Sequence, residues 1–252
     1  MAKLPTSVPE QEVLQGLKNP LNRRSFLRYT GAGLAASAIL LAGCDDDDDS
    51  TVGNNMTEGV NLGSGDVGIL NYAYALEQLE AAFYTAVVAL PNFSTLFTSA
   101  TERQVLTDIR NHEVAHREFF KAAITAAAPT QIIPGLTPNL PASALVSRAS
   151  ILATAKTFED LGVAAYNGAG KLLTSAAFLG IAGKIVSVEA RHAAEIRDMI
   201  ENGTFASGPA GITGGNIVDA NGLDVALTPT QVLMAAQPFV KETLNGSNLP
   251  TT

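Results

Sequence analysis

Two of the three histidines in this chain stand in the same four-residue phrase, Glu-x-x-His, once as Glu113-Val-Ala-His116 and again as Glu189-Ala-Arg-His192. On an α-helix a step of three residues turns the chain by about 300°, so each glutamate and its histidine share a face about a turn apart. Each phrase is therefore a ligand pair for one metal ion. Chance would place Glu three positions ahead of two of the three histidines on the order of one time in a hundred.

The neighbours strengthen this reading. Val105, Ile109, Glu113, His116 and Phe120 advance by four, four, three and four, the rhythm of a buried helical stripe, and Ile185, Glu189, His192, Ile196 and Met199 do the same. Ionisable pairs thus occupy core positions. A buried carboxylate without a partner costs several kcal/mol or more. Such positions need a cation, an arginine or a shared proton, and a metal ion is the simplest neutraliser.

Two further carboxylates interrupt apolar stripes. Glu77 lies among Leu70, Ala73, Tyr84 and Val87, and Glu159 among Leu152, Ala155, Gly162, Tyr166 and Ala169, each with a tyrosine seven residues on. In chain order Glu77 with Tyr84, Glu113 with His116, Glu159 with Tyr166 and Glu189 with His192 read as a helix pair occurring twice. Four inward carboxylates, two with an added histidine, make the ligand set of a di-iron or di-manganese carboxylate site in a four-helix bundle. Glu80, three residues after Glu77, reads either as a further inward ligand or as a solvated flank. His112 points about 100° away from Glu113, which suits a supporting or surface position rather than coordination. Tyr84 and Tyr166 read as core aromatics with satisfied hydroxyls or as redox or hydrogen-bonding groups beside the metals.

On Leu76-Glu77-Gln78-Leu79-Glu80-Ala81-Ala82-Phe83-Tyr84, His112-Glu113-Val114-Ala115-His116, Phe158-Glu159 and Val188-Glu189-Ala190-Arg191-His192, the chain resembles the ferritin-like superfamily. More narrowly, it resembles exported ferritin-like domain proteins related to plant desiccation-related proteins. The resemblance spans roughly residues 66–203. It implies an all-α four-helix bundle with a long crossover between helices two and three. It also implies lone carboxylate ligands at Glu77 and Glu159, bridging ones at Glu113 and Glu189, and terminal imidazoles at His116 and His192. All six positions are filled; the departure is Glu80, where many ferritins carry a small residue.

Helix boundaries follow from caps and breakers. The first helix is expected from about Gly68 to Leu90, before Pro91, and the second from Thr101, boxed with Gln104, to before Pro129. Four prolines and Gly135 between residues 129 and 141 exclude a helix and provide the crossover. The third is expected from about Ala144 to Leu173, and the fourth from Ala176 to Asn202, with Gly203 as the left-handed residue past its end. Residues 204–252 form an extension in which Thr228-Pro229-Thr230-Gln231 caps a short helix through about Gln237. Covering the metal site, contacting another subunit and simple packing all stand as roles for it.

The amino terminus carries Asn22-Arg23-Arg24-Ser25-Phe26-Leu27-Arg28, which resembles a twin-arginine export signal. The apolar run from Tyr29 to Leu41 falls short of the about 20 residues a bilayer needs, so residues 1–43 read as a cleaved signal. Leu41-Ala42-Gly43-Cys44 resembles a bacterial lipoprotein box, with Cys44 lipidated and anchoring the chain to a membrane that faces the periplasm or cell exterior. Cys44 is the only cysteine, so neither a disulfide framework nor thiol catalysis is available. Residues 44–65, opening on Asp45 to Asp49, read as a disordered acidic tether. Removing residues 1–43 takes five of 16 basic and two of 24 acidic residues, leaving 11 against 22 and a net charge of −11. Such a balance excludes nucleic acid as a partner.

The function expected from these residues is that of a di-metal protein, with two iron ions or alternatively manganese, reacting with Fe(II), dioxygen or peroxide. The resemblance adds protection against oxidative or drying stress. Manganese catalase-like disproportionation of peroxide is the second enzymatic reading, and a metal-stabilised binding or structural module the non-enzymatic one. A homodimer accords with a lipidated terminus and long tail, whereas a closed storage cage does not.

Overall fold

A computed structural model describes residues 59–208 and 216–251. The export signal, Cys44 and the tether as far as residue 58 lie outside the described residues. The chain forms strand β1 (Val60–Asn61), helix α1 (Gly65–Val88), a single turn α2 (Phe93–Leu96) and helix α3 (Ala100–Ala127). Helices α4 (Arg148–Gly170), α5 (Ala176–Ile200) and α6 (Pro229–Ala236) follow, then strand β2 (Leu244–Asn245). The architecture is all-α, a bundle of four long helices in which α1 pairs with α3 and α4 with α5. Short connections, 89–99 and 171–175, make each pair an antiparallel hairpin. The long connection, 128–147, runs between the pairs.

Serines start three of the long helices. Ser99, Ser147 and Ser175 each accept a hydrogen bond from the backbone N–H three residues on, satisfying a donor that has no partner inside the helix. The second helix therefore begins at Ala100 under Ser99, and the expected Thr101–Gln104 box is not what caps it. The third begins at Arg148, because Ser147 and Ser150 form a reciprocal box, and the expected residues from Ala144 belong to a separate 3-10 turn, Ala142–Leu145. Gly203 does take a left-handed φ of +87°, and Thr228 and Gln231 do box α6.

The helices are not equivalent. Residues 68–81 of α1 and 158–166 of α4 are buried without a break, whereas α3 and α5 keep one exposed face. The central pair is wrapped by the crossover and the tail. Asn71 on α1 donates to Gln131 O at 2.8 Å and accepts from Ile133 N, and one stripe further on Gln78 accepts from Leu136 N at 2.8 Å. Those two buried amides hold the crossover against α1. The tail crosses above it, with Asn139 N donating to Phe239 O at 2.8 Å and Lys241 N to Thr137 O at 3.0 Å.

Order begins earlier than the expected 44–65 tether allows. Val60 and Asn61 pair in parallel with Leu244 and Asn245, and Leu62 is fully buried. Strand pairing with a partner some 180 residues away satisfies backbone groups that composition alone leaves to water. The extension packs across the bundle: Val232, Leu233, Ala236 and Val240 are buried, and Phe239 meets Phe158 edge to face at 4.7 Å.

Polar ties set the helix registers. Asp66 at the start of α1 accepts from Thr174 N and Ser175 N, both at 2.8 Å, clamping the α4–α5 turn. Arg197 on α5 donates through Nε to Asp160 Oδ1 on α4 at 2.9 Å and also reaches Ser207 O, with the pair almost wholly buried. Breaking such a pair on one side costs about 3–5 kcal/mol, because a buried charge is left alone. No helix among the described residues is long and apolar enough to cross a membrane.

Candidate metal centre

Each long helix delivers one fully buried glutamate to the bundle axis: Glu77 from α1, Glu113 from α3, Glu159 from α4 and Glu189 from α5. His116 and His192 follow their glutamates by one turn on α3 and α5, with side-chain exposures of 13% and 6%. All six side chains singled out by spacing meet here. Two groups of four have ligand atoms within 4.8 Å of one another: Glu77, Glu113, His116 and Glu189, and Glu113, Glu159, Glu189 and His192. Glu113 and Glu189 belong to both.

The atoms sort themselves by direction. His116 Nδ1 lies 3.5 Å from Glu113 Oε2 and 2.9 Å from Glu189 Oε1, while His192 Nδ1 lies 2.7 Å from Glu113 Oε1 and 3.8 Å from Glu189 Oε2. Each shared carboxylate thus turns one oxygen to each histidine. Glu77 Oε2 faces His116 at 3.4 Å, and Glu159 Oε2 faces His192 at 3.5 Å.

The other oxygens of these two outer glutamates are already taken. Tyr84 on α1 donates its hydroxyl to Glu159 Oε1 on α4, and Tyr166 on α4 donates to Glu77 Oε1 on α1, each at 2.5 Å. Both tyrosines are core aromatics, and both touch a candidate ligand.

What remains tests whether a metal fits. Among the described residues, the buried side-chain atoms without a hydrogen-bond partner are Tyr72 Oη and eight others. These are Glu77 Oε2, both oxygens of Glu113, His116 Nδ1, Glu159 Oε2, both oxygens of Glu189 and His192 Nδ1. Buried polar atoms are rarely left so. Eight in one spot, all electron-pair donors, require a cation or protons. Ligand atoms held about 2.1 Å from one ion and at right angles lie about 3 Å apart, which the close N···O approaches match. The residues fit a metal.

The electrostatics agree on how far the pocket resists bare negative charge. Burial, with Glu189 adjacent, pushes Glu77 well above the ordinary carboxylate range, and burial lifts Glu159 to about 8 against the pull of His192. Burial acts to raise Glu113 too, but His116 and His192 together hold it at about 2. Burial disfavours charge on His116, yet Glu113, Glu189 and Glu77 push it up to about 12; His192 is raised likewise, chiefly by Glu159 and Glu113. Without a metal, protons on the imidazoles and on the outer carboxyls do the neutralising.

Glu80 is no solvated flank. It is 4% exposed and stands outside both groups of four. Burial and the nearby Glu189 push its carboxyl well above the ordinary range. Gly162, one turn past Glu159, makes room for it: a Cβ there would sit 3.0 Å from Glu80 Oε1 and 3.6 Å from Glu189 Oε2.

One neighbour of the cluster takes the supporting position its spacing suited, against a partner that spacing did not name. His112 Nδ1 lies 2.9 Å from His192 Nε2, with the two rings inclined by 14° and their centroids 5.1 Å apart. The signal available was a third histidine beside Glu113, but the partner sits 80 residues away.

A family model for the ferritin-like domain matches residues 65–202, which is 138 of 252 residues, and the chain belongs to that family. The match covers the four long helices and the whole carboxylate and histidine cluster. No curated protein matches the chain.

Proposed function

We propose that the chain is a di-metal carboxylate protein that holds two iron ions, with manganese as the alternative, and reacts with Fe(II), dioxygen or peroxide. The observation that supports this is the set of eight partnerless ligand atoms, which divides into two groups of four joined through both oxygens of Glu113 and of Glu189. In this reading Glu77 and His116 complete one site, and Glu159 and His192 the other. Two divalent ions also balance the four carboxylates of the six-residue set. When bound, such a pair supplies a shared two-electron change and open positions for an oxygen substrate.

The protein's own groups prepare the place. Tyr84 and Tyr166 each hold one oxygen of an outer glutamate, which leaves only the second oxygen free to bind. The four glutamates are sealed from water, so approach is from the side of α3 and α5, where His116 keeps 13% of its side chain exposed. Loading must expel the imidazole protons, so metal affinity falls as pH falls.

Export and lipid anchoring at Cys44 are supported by the Arg23-Arg24 and Leu-Ala-Gly-Cys phrases, and a role in stress protection by the resemblance. The test is metal analysis of the purified protein, followed by consumption of dioxygen or peroxide with Fe(II) added. Two ions per chain with Fe(II)-dependent uptake is the expected result. Peroxide disproportionation by a manganese-loaded protein would favour the catalase-like reading, and an inert or metal-free protein would overturn the reactive one. Replacing Cys44→Ser should release the protein from membranes into the soluble fraction. A particle of monomer or dimer size is expected on a sizing column.

A further inference from the structure

We propose that His112 is a positioning residue that commits His192 to the metal through Nδ1 and so makes the two halves of the centre unequal. The inference rests on the di-metal reading and deepens it.

The argument starts from the two ring nitrogens of His192. Nδ1 points into the cluster, 2.7 Å from Glu113 Oε1 and without a hydrogen-bond partner. To bind an ion it must present a lone pair, so the ring proton of the neutral imidazole must sit on Nε2. His112 Nδ1, at 2.9 Å, is the atom that meets Nε2. It accepts that proton's hydrogen bond, and His112 carries its own proton on Nε2. The rings are inclined by only 14° with centroids 5.1 Å apart, which suits a hydrogen bond lying close to both ring planes.

His116 has no counterpart. Among the described residues no hydrogen bond reaches its Nε2, so no neighbour fixes the proton on that nitrogen. The two Glu-x-x-His phrases are thus alike in sequence and unlike in support. His112 itself is exposed on α3 and one residue from Glu113, so it reaches across to α5 without entering the cluster. A partner of this kind on a ligating histidine is typically worth about 10–100-fold in metal affinity. The site of Glu113, Glu159, Glu189 and His192 is therefore the tighter of the two.

The experiment is a calorimetric titration of the metal-stripped full chain with Mn(II), in wild type, His112→Ala and His112→Asn. Asn keeps an acceptor oxygen near the place of Nδ1. Wild type should show two unequal steps. His112→Ala should weaken the tighter step by about 10–100-fold and bring the two steps together, and His112→Asn should restore much of the gap. Long-range proton–nitrogen correlation spectra of the zinc-loaded protein supply a readout that a purely structural role would not move. They should show the His192 proton on Nε2 in wild type and a mixed or mobile signal in His112→Ala. Two metals bound with step affinities and His192 signals unchanged in His112→Ala would overturn the inference and leave the di-metal reading standing. Wild type that binds no metal would overturn both.

Discussion

Tyr84 gives its hydroxyl to Glu159 rather than to Glu77, the glutamate one stripe earlier on its own helix, and Tyr166 gives its hydroxyl to Glu77 in return. The exchange crosses from one hairpin to the other. It makes α1 and α4 a mutually braced pair around the cluster, and it leaves each outer carboxylate one oxygen for a metal.

Removing one hydroxyl should therefore loosen a carboxylate on the opposite helix. Tyr84→Phe and Tyr166→Phe are each expected to lower the stability of the metal-free protein by about 1–3 kcal/mol, the cost of leaving a buried acceptor unpaired. Urea denaturation in the presence of a chelator measures this. A change within error in both variants would show that the bond contributes nothing net.

In the proposed centre the shared carboxylates Glu113 and Glu189 would contact both ions. Replacing Glu113 and Glu189 together with alanine should abolish metal content while the far-ultraviolet circular dichroism of the bundle persists, because the double change removes buried charges along with their partners' need for them. Retention of two metals per chain by this variant would refute the ligand assignment.

Acidity separates the metal-free and loaded states. In the metal-free protein Glu159 is raised to about 8 and His116 to about 12, so both contribute stability at low pH that is lost as pH rises, from about 4.5 for the acid and about 6.5 for the imidazole. Glu113, held at about 2, contributes stability that is lost as pH falls below about 4.5. The metal-free protein should thus be most stable near about pH 4.5 and weaken toward alkaline pH, more steeply once the imidazole contribution also begins to be lost above about 6.5. Metal loading should reverse the alkaline trend, because expelled protons favour binding at high pH. Melting temperatures at pH 5.5 and 8.5, with and without a chelator, decide the matter; a metal-free protein more stable at the higher pH would contradict the sign.

Gly168 tests the docking of the tail. In an open helix Gly→Ala stabilises by about 1 kcal/mol, but here a Cβ would fall 1.7 Å from Leu227 O, and that residue's N–H bonds Ala164 O at 3.0 Å. Backbone cannot swing aside as a side-chain end does. Gly168→Ala should instead destabilise by about 1–3 kcal/mol and speed hydrogen exchange over residues 225–240. A raised melting temperature would mean that the tail is not seated against α4.

The candidate ligand set and the fold were legible because both are local facts. A glutamate or histidine placed in an apolar helical stripe states, by the 3.6-residue period alone, that it faces the core, and four such stripes with a proline-rich gap define the bundle. Glu77, Glu113, His116, Glu159, Glu189 and His192 all obey that rule. Glu80 shows its limit, since the carboxylate three residues from Glu77 is buried against another helix, where Gly162 leaves it room.

What the tertiary structure alone decided are the partners. Nothing in the order of residues says that Tyr84 serves Glu159, that His112 reaches His192, that Asn71 holds the crossover, or that Val60 pairs with Leu244. Each of those contacts joins residues 60 to 184 positions apart. A periodic pattern fixes which way a side chain faces on its own helix, but the atom it meets depends on how helices are turned and slid against one another, and only the packed core sets that.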